Sequence, residues 1–131
     1  MRDTSLSPTY PVAVPDSSQA IKLRLRIVRG EEDAFGPGKA QLLESLLETA
    51  SLNRTASALK MSYVKALALV RAMNEHFREP LVEHTRGGRQ GGGTRVTPAG
   101  QRALAEYQAI CGASEAAAQP GWRRLRKLVK D

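Results

Sequence analysis

The chain has 131 residues, 41% of them hydrophobic, which fits one domain with an ordinary core. Its formal net charge of +7 favours a polyanionic partner, nucleic acid before a membrane surface. One cysteine and two histidines are too few for a disulfide framework or a zinc finger. No apolar run is long enough for a membrane span or a signal peptide. We therefore expect a cytoplasmic protein with no membrane partner.

The N-terminal part of the sequence divides into a leader, a strand and a turn. Residues 1–19 contain three prolines and show no hydrophobic period, which predicts a flexible leader. At residues 21–27 apolar and cationic side chains alternate, which predicts a half-buried strand with one cationic face. The segment 30–36 begins and ends with glycine and carries three acids, which predicts a turn.

Three helical patterns follow. The first runs over Pro37–Ala50, with proline at the first helical position. The second fits Arg54–Leu59 with Asn53 as N-cap, and the third runs from the N-cap Ser62 to about Phe77. The predicted buried stripe of the third helix is Ala66, Leu69, Val70, Met73 and Phe77.

A glycine-rich hairpin comes next. Leu81–Thr85 and Thr94–Val96 predict its strands, and five glycines within residues 87–93 predict a long, pliable tip. A phosphate-binding P-loop would need lysine after the last glycine, where this chain has Thr94. We therefore interpret residues 86–95 as a wing.

A last helix is predicted from the N-cap Thr97, followed by Pro98, and is expected to stop by Pro120. The apolar stripe of this helix is larger than the area that three short helices and a hairpin can cover. This excess predicts a homodimer in which a second copy covers the stripe. The alternative is that the stripe only closes the core of one chain. The predicted seam consists of Leu104, Tyr107, Ile110, Cys111 and Ser114. Cys111 is interpreted there as a small hydrophobe.

This element order predicts a winged helix-turn-helix: a mostly α fold with a small β-hairpin and a long C-terminal dimerisation helix. The domain spans residues 20–119, between the leader and a basic amphipathic tail at residues 120–131. Lys60 stands in the turn where glycine is common. It either takes a left-handed conformation, at about 1–2 kcal/mol, or the turn has another shape.

Double-stranded DNA is the predicted partner, because residues 54–102 carry +6 of the net charge. A helix-turn-helix presents the second of its two helices to the major groove, and here that is the third predicted helix, at residues 62–77. The predicted contacts from the helix-turn-helix are Arg54, Ser62, Tyr63, Val64, Lys65, Leu67 and Arg71. The predicted contacts from the wing are Arg86, Arg89 and Arg95, aimed at the backbone or minor groove.

A protein-interaction adaptor and an enzyme are the two alternative function classes. A protein-interaction adaptor that lost DNA binding is favoured by the apolar Val64 and Leu67, and salt-dependent duplex binding separates it from a regulator. An enzyme is not expected, because no carboxylate pair, Ser-His-Asp set or metal cluster can be assembled. His76 and His84 are interpreted as structural or solvated, so no metal is predicted.

Several motifs between Pro37 and Ile110 resemble the DNA-binding domain of the ModE family of molybdate-responsive regulators. LysR-type regulators share this domain type more distantly. The motifs are Met61-Ser62-Tyr63, Met73-Asn74, Pro80-Leu81-Val82-Glu83, the Gly87-Gly88 and Gly91-Gly92-Gly93 tip, and Thr97-Pro98-Ala99-Gly100-Gln101.

The resemblance implies a bacterial transcription regulator that dimerises through this domain, and it is expected to repress molybdate-transport or molybdenum-metabolism genes. Relatives often place a basic residue and a tryptophan where this chain has Val64 and Leu67. Full-length family members continue into a molybdate-binding module, for which the roughly 20 residues after Ile110 are too few. A stand-alone domain without a cofactor is therefore expected. Three alternatives are then open: the protein regulates without a ligand, a separate chain senses molybdate, or the resemblance reflects common ancestry only.

Overall fold

A computed structural model describes residues 19–85 and 93–131. Its elements are β1 (Ile27–Arg29), β2 (Glu32–Phe35), α1 (Pro37–Thr49), α2 (Leu52–Ala58), α3 (Tyr63–His76), β3 (Val82–Thr85), β4 (Gly93–Val96) and α4 (Pro98–Arg126). Two antiparallel pairs, β1–β2 and β3–β4, accompany the helices. The predicted fold class, a mostly α winged helix-turn-helix with a long C-terminal helix, is confirmed.

Contacts divide the chain into two compact units. Residues 24–107 form one unit, and residues 108–131 form the other together with the segment that ends at Leu23. In the second unit the Gln19 side-chain amide donates to the Lys130 carbonyl oxygen at 2.7 Å. No helix in the described part of the chain is long and apolar enough to cross a membrane.

The core of the 24–107 unit lies among α1, α2, α3, β2, the β3–β4 hairpin and the first turns of α4. The apolar faces of the helices supply most of it, as their spacing predicts. Its largest fully buried side chains are Phe35, Leu42, Leu43, Leu46, Met73, Leu81, Val70 and Thr55. The Thr55 hydroxyl lies 3.0 Å from the hydroxyls of both Ser45 and Thr49, so this buried polar group is satisfied.

The strand predicted at residues 21–27 is wrong, because residues 21–26 form no regular secondary structure. The alternation is present, but a strand needs a partner, and β1 finds β2 only from Ile27 onward. Most of the turn predicted at residues 30–36 is this partner strand. Gly30, with φ 66°, makes the short turn between the two strands.

The helix-turn-helix begins with α2. The Ser51 hydroxyl accepts a hydrogen bond from the Arg54 amide at 3.1 Å, so Ser51 is the N-cap and the prediction of Asn53 is wrong. Ser62 is confirmed as the N-cap of α3, where its hydroxyl accepts from the Lys65 amide at 3.0 Å.

The turn between α2 and α3 passes through Lys60 in the left-handed region, at φ 59°. The Lys60 amide donates to the Ser57 carbonyl at 3.1 Å and the Met61 amide to the Ala56 carbonyl at 2.9 Å, which closes the end of α2. The tight turn is therefore kept without glycine, and Lys60 bears the conformational cost.

The last helix departs from the prediction at its C-terminal end. It continues through Pro120 to Arg126, so the predicted stop by Pro120 is wrong. A proline removes only its own amide, here the donor to the Ala116 carbonyl, and a long helix can pass such a residue at a local cost. Alanines at 116–118 favour helix immediately before it.

Candidate nucleic-acid interface

The outward face of α3 is exposed along most of its length. Ala66, Val70 and Met73 are buried on the opposite face, whereas Lys65 and Arg71 are exposed. The other members of the predicted buried stripe, Leu69 and Phe77, are half-buried, as is the predicted contact Leu67. Since buried and exposed residues alternate with helical period, α3 presents a distinct surface.

The charge on this surface has one sign. Residues 52–74 contain four cations and no Asp or Glu. The cations are Arg54, Lys60, Lys65 and Arg71, and all four are exposed. Among the described residues none of them takes part in an ion pair. Within the described residues, the helix-turn-helix therefore carries four positive charges that no acidic side chain neutralises.

Several other described cations do have acidic partners. Arg26 pairs with Asp33 at 3.2 Å, and Arg102 pairs with Glu79 at 3.5 Å. Arg95, the predicted wing contact on β4, pairs with Glu83 on β3 at 3.0 Å and keeps 54% of its side chain exposed. Its charge is partly compensated, unlike those of the helix-turn-helix.

The rest of the predicted wing is only partly placed. The β3–β4 ladder pairs Val82 with Val96 and Thr85 with Gly93, which confirms the hairpin. Arg86, Arg89 and the tip glycines other than Gly93 lie outside the described residues. At the base of the hairpin, His84 Nδ1 lies 3.2 Å from the Thr94 hydroxyl, which gives this histidine a structural contact.

Asn74, which was not among the predicted site residues, joins α3 to the hairpin. Its side-chain oxygen accepts from the Leu81 amide at 2.8 Å and the Val82 amide at 3.3 Å. Its side-chain nitrogen donates to the Val82 carbonyl at 3.0 Å. Because all three bonds reach β3 or its start, Asn74 fixes α3 relative to the β3–β4 hairpin. Asparagine inside a helix, where it is a poor helix former, was the available signal.

The start of α4 fits against the same segment. The Thr97 amide donates to the Leu81 carbonyl at 3.0 Å, and the Thr97 hydroxyl donates to the Pro80 carbonyl at 2.7 Å. That hydroxyl also accepts from the Gly100 amide at 3.0 Å, as expected of an N-cap. Gly100 packs so closely that a Cβ atom would overlap the Leu81 carbonyl oxygen.

The five predicted seam residues differ in their surroundings. Leu104 and Tyr107 are each 6% exposed. The Tyr107 ring meets Phe35 edge-on at 5.1 Å between centroids, and its hydroxyl donates to the Leu25 carbonyl at 2.7 Å. These two residues close the core of one chain. Ile110 is 45% exposed, whereas Cys111 and Ser114 are half-buried.

The histidines and acids do not gather into a metal-binding set within the described residues. His76 is nearly buried and lies between two side chains of the β1–β2 hairpin. Its Nε2 atom is 3.2 Å from a Glu32 carboxylate oxygen, and its Nδ1 atom is 3.1 Å from the Arg29 guanidinium. This histidine therefore ties the end of α3 to that hairpin.

Comparison with known proteins agrees with this geometry. Residues 38–101 match the model of the bacterial regulatory helix-turn-helix proteins of the lysR family. The match includes α2, α3 and both strands of the β3–β4 hairpin. The chain carries a LysR-type helix-turn-helix domain.

Three relatives illustrate the similarity. The molybdenum transport protein ModE of Azotobacter vinelandii is 40% identical over 77 residues, which cover 59% of this chain and 28% of that protein. The molybdenum-pterin-binding protein MopA of Rhodobacter capsulatus is 33% identical over 97 residues, covering 74% and 37%. The transcriptional regulator ModE of Haemophilus influenzae is 35% identical over 74 residues, covering 56% and 29%. The chain thus spans about a third of the length of these relatives. The matched family is one of regulatory proteins, not of enzymes.

Proposed function

We propose that this chain is a sequence-specific, DNA-binding transcription regulator that places α3 in the major groove of double-stranded DNA. The observation that carries the proposal is the acid-free segment 52–74, which includes α3 and holds four exposed cations that have no acidic partner among the described residues. This segment lies within the match to the LysR-type helix-turn-helix proteins. Unneutralised cations on such a face attract DNA phosphates, and the first turns of the second helix reach base edges.

The predicted contacts take different roles in this proposal. Lys65 and Arg71 are exposed on α3 and can donate to base edges, whereas Arg54 on α2 suits a phosphate. The Ser62 hydroxyl caps α3 and can still donate its proton to a phosphate. Leu67, which is half-buried, supports the exposed residues beside it. The wing arginines contact the backbone or minor groove.

Substitutions in α3 and in the wing are expected to have different effects. Arg71→Ala and Lys65→Ala should reduce discrimination between sequences by about 1–3 kcal/mol each, whereas Arg89→Ala should weaken every site alike. Binding to the preferred duplex and to single-base variants of it measures both effects. Arg102→Ala is the control, because Arg102, which lies on α4, is already paired with Glu79. The assignment is refuted if Arg89→Ala alters preference while both helix variants leave it unchanged.

We also propose a homodimer that pairs two recognition helices, with α4 in the seam. Ile110 is the seam residue with the most exposed side chain, and Cys111 and Ser114 lie beside it on the helix. Light scattering at tens of micromolar should give a dimer mass for the unmodified chain and a monomer mass for Ile110→Arg. Tyr107→Arg would also disrupt the core. A monomeric unmodified chain would contradict the proposal.

The names of the relatives suggest a regulated process. Two are named for molybdenum transport or molybdenum-pterin binding, and a third is named a transcriptional regulator. We propose that this chain represses molybdate-transport or molybdenum-metabolism genes, that residues 1–131 bind no molybdate by themselves, and that a separate molybdate-sensing chain is one candidate partner. A genome-wide footprint identifies the regulated genes, and calorimetry with molybdate should show no stoichiometric binding by this chain.

A protein-interaction adaptor is the second candidate. The observation that favours it is the exposed apolar surface at the start of α3, where Tyr63 is 45% and Val64 is 75% exposed. Such side chains suit a protein partner as well as a DNA groove. Duplex affinity that is weak and insensitive to salt would favour the adaptor over the regulator.

A further inference from the structure

The first turn of α3 presents an apolar group where the proposed function requires base recognition. At 75%, Val64 is the most exposed large hydrophobic side chain among the described residues of the 24–107 unit. Ala68, one turn further along the same face, is also exposed, and Arg71 follows after another turn. The outward face of the recognition helix thus begins with hydrocarbon and continues with a cation.

Valine cannot form a hydrogen bond with a base or with a phosphate. Its only favourable contact in a major groove is with another apolar group, and the base edges there present a single one, the 5-methyl group of thymine. The surrounding cations, Lys60 and Lys65 among them, attract the DNA backbone to this surface. A small Ala68 next to Val64 leaves room for the groove to approach.

We propose that Val64 is a specificity-determining residue that reads the 5-methyl group of a thymine in each half-site. The proposal rests on the proposed function, because it assumes that α3 enters the major groove. The preferred sequence then contains a thymine at one position, and the protein recognises that thymine by its methyl group without a hydrogen bond to the base. Burial of one methyl group corresponds to about a fourfold gain in affinity.

Deoxyuridine tests the proposal, because it differs from thymidine only by the missing methyl group. The preferred duplex is first selected from a random pool with the full chain, and each thymine is then replaced singly by deoxyuridine. The unmodified protein should lose about fourfold in affinity at one thymine of each half-site. Val64→Ala should reduce that ratio to below about 1.5-fold, since the partner of the methyl group is gone.

Val28→Ala is the matched control. Val28 is also an exposed valine, at 58%, but it lies on β1 outside the helix-turn-helix, so this variant should keep the fourfold ratio. Because alanine favours helix more than valine does, Val64→Ala should unfold at a temperature no lower than the unmodified protein. Unfolding measurements on both variants separate a lost contact from a damaged fold.

The possible outcomes distinguish this inference from the proposed function. A chain that binds no duplex at low salt overturns both. Salt-dependent, sequence-specific binding without any thymine that responds to deoxyuridine overturns only the role of Val64. The same conclusion follows if the selected site lacks thymine, or if Val64→Ala keeps the fourfold ratio.

Discussion

The affinity of the chain for duplex DNA is expected to fall about a hundredfold per bound copy when salt rises from about 50 to 200 mM. Each phosphate that a cation neutralises releases about 0.9 counterion, and the helix-turn-helix offers four exposed cations without acidic partners. The proposed phosphate contacts are Arg54, Lys60 and the wing arginines Arg86 and Arg89. If each of these four meets one phosphate, the logarithm of the affinity falls with the logarithm of salt with a slope of about −3.6. Fluorescence anisotropy at several salt concentrations measures this slope.

Neutral variants show which cations contribute. Arg54→Gln and Lys60→Gln should each make the slope shallower by about 0.9. Glutamine at position 60 retains a side chain in the left-handed conformation, so the strain of the turn changes little. Arg102→Gln serves as control, because this arginine already has Glu79 as partner. A slope shallower than about −2 for the unmodified chain would refute the electrostatic interface and favour the adaptor.

Gly100→Ala is expected to destabilise the fold by about 3 kcal/mol, although alanine in place of helical glycine ordinarily stabilises by about 1 kcal/mol. The new Cβ would overlap the Leu81 carbonyl oxygen and lie 2.7 Å from Val96 Cγ1. That carbonyl is backbone, and it also accepts the hydrogen bond from the Thr97 amide. The start of α4 must therefore move away from the hairpin.

Gly112→Ala is the control within the same helix. No atom lies within 4 Å of a Cβ built at Gly112, so this variant should gain about 0.5–1 kcal/mol. Urea or thermal unfolding of the two variants should therefore shift in opposite directions. Equal or greater stability of Gly100→Ala would show that the contact with Leu81 is not tight in solution.

The sequence predicted the helix-turn-helix because its signals are local. Ser62 lies one residue before α3, and its hydroxyl reaches an amide only three residues away. The prediction of Asn53 as N-cap failed because Ser51, an equally good cap, lies two residues earlier. The difference is that Leu52, which follows Ser51, is buried at 3% exposure and so starts the helix.

Features that depend on distant contacts were not predictable in the same way. The strand expected at 21–27 has the correct alternation, but pairing depends on where β2 lies. Asn74 acts through β3 and Gly100 through Leu81, 19 residues earlier in the chain. For the candidate site, the pattern identified the outward residues of α3. Their lack of acidic partners became visible only in three dimensions, since Arg95 lies in the same basic segment but pairs with Glu83.

The left-handed Lys60 has an evolutionary consequence. A glycine at this position would relieve the backbone cost and stabilise the turn, but it would also remove one of the four cations of the helix-turn-helix. Selection for a more thermostable chain and selection for tighter DNA binding would therefore favour different residues at the same position. If the proposed function is correct, Lys60 records a compromise in which attraction to the nucleic acid was retained at the expense of stability.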